Sequence, residues 1–354
     1  MTDVCDVLVV GLGPAGGAAA WAAASRGMRV VAIEKKKTIG VPVQCAEFIP
    51  VPIGRYARSQ AILKQHIAGM QTVLPSGETR HSSFPGYMVD RAAFDQGLAA
   101  MAEEAGAQIR VQTALEELDT ERNVARVRDA DGSHAIHYHL LIAADGPYSK
   151  VADLIGLPRQ KVVHSRQYAV PLLREMADTT IWLSGEYPGG YAWLFPRGAE
   201  ANLGIGIDYD YGRDAKHPLD KLHEQLVLQG TVGPTILRRT GGGIPVGGMR
   251  ERLAVGQVLF AGDAAGLTHP ITGAGIAAAV LSGEHAGEAV AQWPAKGQQA
   301  LDDYDEEIRD IYGPTIERAL RVRESLNWIW KTPAADEDAE QRRGWIAFEE
   351  YFAF

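Results

Sequence analysis

Cysteine is nearly missing from this chain: its 354 residues include only Cys5 and Cys45. Two cysteines so far apart build neither a disulfide framework nor a metal-ligand cluster, so no metal is expected and a reducing cytoplasm is the default setting. Positive charge is also short, with 35 Lys and Arg against 44 Asp and Glu and a formal net charge of −9. Nothing in that balance would neutralise a phosphate backbone, which excludes nucleic acid as a partner. Clean apolar runs of membrane-spanning length are lacking as well. Residues 7–25 contain a Gly-Leu-Gly-Pro turn and follow Asp3 and Asp6, where a signal peptide would be basic; residues 264–283 contain Pro270 and several glycines. The expectation is a soluble, cytoplasmic protein that at most touches a membrane surface as a peripheral contact.

What is present begins with residues 7–34, VLVVGLGPAGGAAAWAAASRGMRVVAIE. The unbroken apolar run ending in glycine suits a parallel strand buried on both faces. Gly11, Gly13 and Gly16 follow at the GxGxxG spacing. Gly11 allows the tight turn, Gly13 lets a pyrophosphate approach the backbone, and Gly16 lets the next helix pack close to the strand. The helix N-terminus then offers unpaired N–H groups and the positive end of its dipole. A second strand ends at Glu34, 18 residues after Gly16, where a carboxylate takes the two hydroxyls of an adenosine ribose and repels a 2′-phosphate. A GxGxxG alone is a common turn; with strand, helix, second strand and acid in order it predicts a dinucleotide site.

Further along, Lys35 to Lys37 form a solvated basic run, and the proline-bounded loop Pro-Val-Gln-Cys-Ala-Glu returns Gln44 and Cys45 toward the carboxyl edge of the sheet. A single cysteine is most often a small buried hydrophobe. Residues 67–83 read as a hairpin turning at Pro75-Ser76-Gly77, and Arg91 opens an alanine-rich helix to Ala105. A buried strand ending at Asp145-Gly146 again marks a sheet's carboxyl edge. Residues 162–207 alternate apolar and polar residues with many aromatics, including Tyr168, Trp182, Tyr187, Tyr191, Trp193 and Phe195, as a sheet lining a cavity would. The glycine-rich residues 241–248 read as the crossing back to the first domain. Residues 258–261 form a buried strand, followed by Gly262-Asp263 and then by Pro270, Gly273 and Gly275 before a helix of small residues. An acid at a strand end beside a helix start supplies an acceptor for a polyhydroxyl chain and a dipole for an electron-rich ring.

The set GLGPAGG, PVQCAE, YMVDR, AADGPYSKVA, YAWLFP and GDAAGLTHPITGAGI, in this order over roughly residues 4–330, resembles the geranylgeranyl reductase family of flavoproteins. That family sits within the larger p-hydroxybenzoate hydroxylase-like group. Tyr191-Ala192-Trp193-Leu194-Phe195-Pro196 is similar to the family's YxWxFP pattern, and Cys45 stands at its loop cysteine. The resemblance implies an α/β fold: a Rossmann-like FAD-binding domain (residues 1–66, 86–161 and 249–300), an antiparallel-sheet substrate domain (67–85 and 162–248) and a helical C-terminal segment (301–354). It implies noncovalent FAD, with Gly11, Gly13, Ala15 and Gly16 at the diphosphate, Glu34 on the adenosine ribose, and Gln44, Cys45, Arg91 and Asp145 close to the cofactor. Gly262 and Asp263 would serve the ribityl chain, and Gly273, Gly275 and Ile276 the pyrimidine end. Gln44 departs from the arginine of many relatives and removes a positive charge there.

The implied activity is reduction of a C=C bond in an isoprenoid or similar apolar chain by hydride transfer from reduced flavin, with Cys45 as catalytic residue and Tyr191, Trp193 and Phe195 lining the substrate cavity. The alternatives are an FAD monooxygenase acting on an aromatic, since one fold serves both chemistries, and a flavin-bearing binding or maturation protein. No second GxGxxG unit accompanies the first, so the electron donor stays open between NAD(P)H and ferredoxin. The last residues hold Trp345, Phe348, Tyr351, Phe352 and Phe354. So much aromatic area needs a partner, either the protein's own core, a second subunit or a lipid chain whose mouth the tail would help to form; the alternative for the segment is a packing helix on the FAD domain.

Overall fold

The computed structural model describes residues 3–212 and 214–353. Two eight-stranded sheets organise the chain. The first contains β1 (Asp3–Val10), β2 (Val30–Ile33), β6 (Gln108–Arg110), β7 (Ala114–Asp119), β8 (Val124–Asp129), β9 (Gly132–Ala143), β15 (Ala254–Val255) and β16 (Val258–Phe260). Strands β16, β9, β1, β2 and β6 run parallel in that order, with β15 on one edge and the β7–β8 pair joined antiparallel to β9. Strands β2 and β16 and the second half of β1 are buried on both faces, as in a covered parallel sheet. Helices α1 (Pro14–Ala24) and α5 (Ile276–Lys296) lie against each other, and their contact is made by small residues. A Cβ on Gly283 would fall 2.2 Å from the Ala15 carbonyl oxygen, and one on Gly287 2.5 Å from that of Ala19. Helix α2 (Arg91–Glu104) packs on α1, and α3 (Lys150–Leu154) lies against β7.

The second sheet contains β3 (Phe48–Pro50), β4 (Leu63–Val73), β5 (Thr79–Val89), β10 (Val162–Pro171), β11 (Asp178–Trp182), β12 (Ala192–Arg197), β13 (Glu200–Ile207) and β14 (Arg238–Pro245). Its order is β14-β10-β13-β12-β11-β4-β5-β3, antiparallel throughout except for the parallel pair β11–β4. Helix α4 (Lys216–Leu228), which the sequence reading did not anticipate, covers one face. The long α6 (Gln298–Ile329) and short α7 (Asp338–Arg343) follow α5.

Three expected boundaries move. The second sheet takes residues 48–50 and 63–89 rather than 67–85, because β4 and β5 are 11-residue strands that run on past the predicted hairpin and β3 pairs with β5. Gly241 to Gly243 are not a crossing but the middle of β14, paired with residues 164–166 of β10; a Cβ on Gly241 would lie 2.3 Å from the Ser165 carbonyl oxygen. The C-terminal segment begins inside α6, which starts at Gln298. The aromatics of residues 162–207 divide by face. Tyr168 and Tyr187 fill the core under α4, whereas Tyr191, Trp193 and Phe195 share the opposite face.

Candidate functional site

Every cofactor residue anticipated at a strand end lies at the carboxyl edge of the first sheet, where ligands bind in doubly wound folds. Gly11 closes β1 at φ +93°, a conformation that favours glycine, and a Cβ there would meet the Ala144 carbonyl oxygen at 2.5 Å. Gly16 faces back onto the same turn, its hypothetical Cβ 1.8 Å from the Gly11 oxygen. Gly13 is different: nothing of the protein lies within 4 Å of its Cβ position. It is the N-cap of α1, with no side-chain cap and no acid in the first turn, while the helix start around Ala15 is buried. A buried helix N-terminus without a protein partner is a place for an anion.

The neighbouring groups continue that edge. Glu34 is buried, its Oε2 accepting from the Leu12 N–H at 3.0 Å and its Oε1 from the Lys36 N–H at 2.9 Å, so each oxygen keeps a lone pair for a ribose hydroxyl. Asp145 accepts from the Val151 N–H at 3.0 Å through Oδ2, and its buried Oδ1 has no partner in the protein. Burial pushes the Asp145 carboxyl up. Across the sheet, Gly262 (φ +59°) lies against Ala15, and Asp263 accepts from the Thr268 hydroxyl at 2.6 Å. Burial raises the Asp263 carboxyl, with the Thr268 hydrogen bond and the Arg91 charge opposing it. A Cβ on Gly275 would fall 3.2 Å from Asp263 Oδ1, which places the start of α5 and Ile276 beside that acid. Gly273 takes φ +67° in the loop before it, near Ile244 and the Tyr191 hydroxyl. The open Gly13 approach, two uncapped helix starts, an orphaned Asp145 oxygen and spare acceptors on Glu34 suit a diphosphate flanked by hydroxyl-rich chains.

Arg91 lies close by, but its guanidinium fork is occupied: Nε and Nη2 donate to the two oxygens of Asp95 at 2.8 and 3.0 Å. Burial works against the Arg91 charge and the Asp95 carboxylate outweighs it, so the arginine is held well above its ordinary value. Gln44 turns to the second sheet, where its amide donates to the Gly241 carbonyl at 2.6 Å.

Cys45 joins the two sheets. Its Sγ accepts from the Glu47 N–H at 3.2 Å, and its carbonyl accepts from Gln167 Nε2 at 3.0 Å. The other end of that amide, Gln167 Oε1, accepts from Trp193 Nε1 at 3.0 Å. Burial pushes the Cys45 thiol up, and the Arg91 charge and the Glu47 N–H pull it only part of the way back. Tyr191 packs edge-on to Trp193 at 5.7 Å, and its hydroxyl donates to the Thr272 carbonyl of the loop before α5. Phe195 meets Phe48 at 6.3 Å. One glutamine amide therefore ties the Cys45 loop to the apolar face.

Several residues of this arrangement were not singled out in the sequence. Glu47, at φ +71° and 5 % exposed, accepts from the Arg91 N–H at 2.9 Å and from Asn202 Nδ2 at 2.9 Å, and pairs with Arg197 Nε at 3.3 Å. Its signal was the acid closing PVQCAE. Asp95 was legible as the helical i+4 neighbour of Arg91. Gln167 and Asn202 carry no local signal, since only strand register brings them under Cys45.

Most of the aromatic tail finds its partner in the protein's own core. Trp345 and Phe348 pack into the core of the second sheet with Met70, Leu74, Ile181 and Trp193, and Tyr351 packs on α6. Buried in this way, the rings satisfy their own need for a partner. Phe352 is 56 % exposed, and Phe354 lies outside the described residues. Among the described residues no helix is long and apolar enough to cross a membrane.

Comparison with known proteins agrees with this geometry. A model of the FAD binding domain matches residues 79–319, and one of FAD dependent oxidoreductases matches residues 6–145. A digeranylgeranylglycerophospholipid reductase from Methanocella arvoryzae is 32% identical over 93% of this chain and 89% of its own length. Digeranylgeranylglycerophospholipid reductase 1 from Methanopyrus kandleri is 35% identical over 91% of this chain and 90% of its own. Among solved structures, a geranylgeranyl bacteriochlorophyll reductase-like protein from Thermoplasma acidophilum superposes with a TM-score of 0.86 at 27% identity, covering 97% of this chain and 91% of that one.

Proposed function

The chain belongs to the geranylgeranyl reductase family of FAD-dependent oxidoreductases, and from that premise we propose that it saturates C=C bonds in the isoprenoid chains of a lipid of the digeranylgeranylglycerophospholipid type. The observation that carries the reading is the Gln167 side chain, which links the backbone carbonyl of Cys45 to the indole of Trp193 and so supports a thiol loop set beside an apolar aromatic face. Bound FAD, once reduced, supplies the hydride.

The protein's own residues do the rest. The Gly11, Gly13 and Gly16 turn and the start of α1 would hold the diphosphate, Glu34 the adenosine ribose, Asp263 the ribityl chain, and Gly273, Gly275 and Ile276 the pyrimidine end. Tyr191, Trp193 and Phe195 hold the alkene and keep water from it, which is the positioning such a transfer requires. An isolated alkene accepts hydride poorly, so a proton must lead or accompany it. Cys45 keeps its proton at Sγ at neutral pH and stands as the residue that positions the substrate or supplies that proton. Electrons come from NAD(P)H or ferredoxin, and a membrane-borne substrate draws the protein to a bilayer surface as a peripheral visitor.

The test is direct. The purified protein should be yellow with near-stoichiometric FAD. Reduced under nitrogen and given a geranylgeranyl glycerol phospholipid, it should return oxidised flavin and a product heavier by two hydrogens for each bond reduced. A colourless protein that takes up no FAD would sink the reading, and an oxygenated aromatic product with oxygen consumption would replace it by the hydroxylase.

A further inference from the structure

Six aromatic rings form a line across one face of the second sheet, and the two ends of the line differ. Phe84 of β5, 39 % exposed, stacks on Phe48 at 5.6 Å, and Phe48 meets Phe195 edge-on at 6.3 Å. Trp193 lies two residues before Phe195 on the same face, followed by Tyr191 at 5.7 Å and then by Trp345 of the tail at 4.8 Å from Tyr191. Trp345 is 3 % exposed. The segment Cys45–Ala46 lies against the middle of the line, held by Gln167 and by Asn202 Nδ2 on the Ala46 carbonyl at 3.2 Å. The belt is thus open at Phe84, crossed by the reactive loop, and shut at Trp345.

The shut end is firmly built. Trp345 Nε1 donates to the Thr72 hydroxyl at 3.1 Å, among Met70, Leu74 and Ile181. The tail is fixed on either side of the indole, by Asp338 accepting from the Ser76 N–H at 3.0 Å and by Tyr351 meeting His269 Nε2 at 3.4 Å. Next to Trp345 in the tail, Ala347 and Phe348 line a surface cleft of about 480 Å3 together with Arg80 and Arg342. The tail segment therefore stands as a partition between the aromatic belt and an open cleft.

We propose that Trp345 is a specificity-determining residue: it is the end wall that sets how much of an apolar chain fits past Cys45, with the chain entering at Phe84. The proposal rests on the isoprenoid reading above and adds to it the element that measures length. Replacing the indole by a methyl group removes the ring that closes the belt beyond Tyr191 and makes room for a longer chain. Discrimination in an apolar pocket changes by about tenfold or more for such differences in fit.

The experiment uses the FAD-loaded full chain and a series of prenyl glycerol lipids differing by one isoprene unit, with kcat/KM measured by mass spectrometry. Trp345→Ala should raise the ratio of longer-chain to shorter-chain kcat/KM by about tenfold, and Trp345→Phe by about threefold, with the flavin spectrum unchanged. Phe84→Glu, at the exposed end, should raise KM for every chain length alike and leave the ratio where it was. If Trp345→Ala does not fold, the Phe variant and Phe84→Glu decide the matter. A folded Trp345 variant that turns over the series with the parental ratio overturns the end wall alone. A parent protein that reduces no member of the series overturns the isoprenoid reading, and this proposal with it.

Discussion

The carboxyl edge of the first sheet and the aromatic face of the second meet at Cys45, and they are made of opposite materials. The first recognises its ligand with what is missing. Gly11, Gly13, Gly16, Gly262 and Gly275 carry no Cβ and α1 has no side-chain cap, so the proposed binding falls to backbone N–H groups. The second works with bulk, rings brought from β3, β5, β12 and the tail, held in register by single side-chain amides. A cofactor of fixed shape suits a backbone mould; a flexible apolar chain suits a surface of packed rings. The difference predicts that the two regions fail in different ways.

The largest effect separates two glycines of one turn. Gly16→Ala forces a Cβ to within 1.8 Å of a backbone oxygen, so β1 and α1 must part. It should cost about 3 kcal/mol or more and take FAD binding with it. Gly13→Ala meets nothing in the protein and keeps an ordinary φ of −76°, so the FAD-free protein should melt within about 1 °C of the parent while FAD affinity falls at least about tenfold. Melting of the FAD-free and FAD-loaded forms checks both. Equal FAD affinity in Gly13→Ala and the parent would remove the diphosphate from that turn.

On the other side of the junction, Cys45→Ala should keep FAD and lose most alkene reduction, on the order of a hundredfold in kcat. Cys5→Ala serves as the control. Cys5 is buried in β1 with its thiol pushed up to about 12, so its truncation costs about 1 kcal/mol of packing and no activity. Parental turnover in the Cys45 variant would reduce that residue to packing.

These contrasts follow how legible each region was. The cofactor edge could be read because its determinants are contiguous: strand, glycines, helix and acid follow one another, and the same physics that folds the turn makes the site. The aromatic strand was readable as three rings on one face, since alternation is local. Its surroundings were not. Gln167 and Trp193 are 26 positions apart, Asn202 and Glu47 are 155 apart, and Trp345 and Thr72 are 273 apart. Such pairs exist only through strand order, which no local pattern encodes. The tail was legible only in part for a related reason: aromatic density says that area must be covered, by the protein's own core, a second subunit or a lipid, but not by which. Helix α4 was passed over because it falls between the aromatic residues 162–207 and the glycine-rich residues 241–248, in a stretch that carries neither signal.

Glu47 sharpens the comparison at the seam itself. Its two carboxylate oxygens serve the start of α2 and the Asn202–Arg197 side of the second sheet, while its N–H holds the Cys45 sulfur. Glu47→Gln keeps the size and replaces one acceptor by a donor facing donors. It should lower kcat about tenfold, leave FAD affinity within about twofold, and change the pH profile of Cys45 alkylation, which a purely structural loss would not move. An unchanged alkylation profile would place Glu47 in packing alone.

The smallest effect concerns acid, and it tests the bond between the tail and the loop before α5. His269 Nδ1 accepts from the N–H groups of Ile271 and Thr272 at 3.3 and 3.2 Å, which requires a neutral ring whose Nε2–H faces the Tyr351 hydroxyl. Burial lowers this histidine from its usual 6.5 to about 4. The unfolded chain therefore takes up a proton at a higher pH than the folded one does. The contribution is complete above about pH 6.5 and is lost as the pH falls through that value toward 4. Between pH 6.5 and 5 the loss amounts to about 2 kcal/mol, a shift of roughly 2 °C in Tm for a chain of this size. His269→Asn, which keeps an acceptor for the loop but cannot be protonated, should melt with a flatter acid limb than the parent. Parallel melting curves for the two proteins across this window would show that the loop and the tail hold together without help from the imidazole.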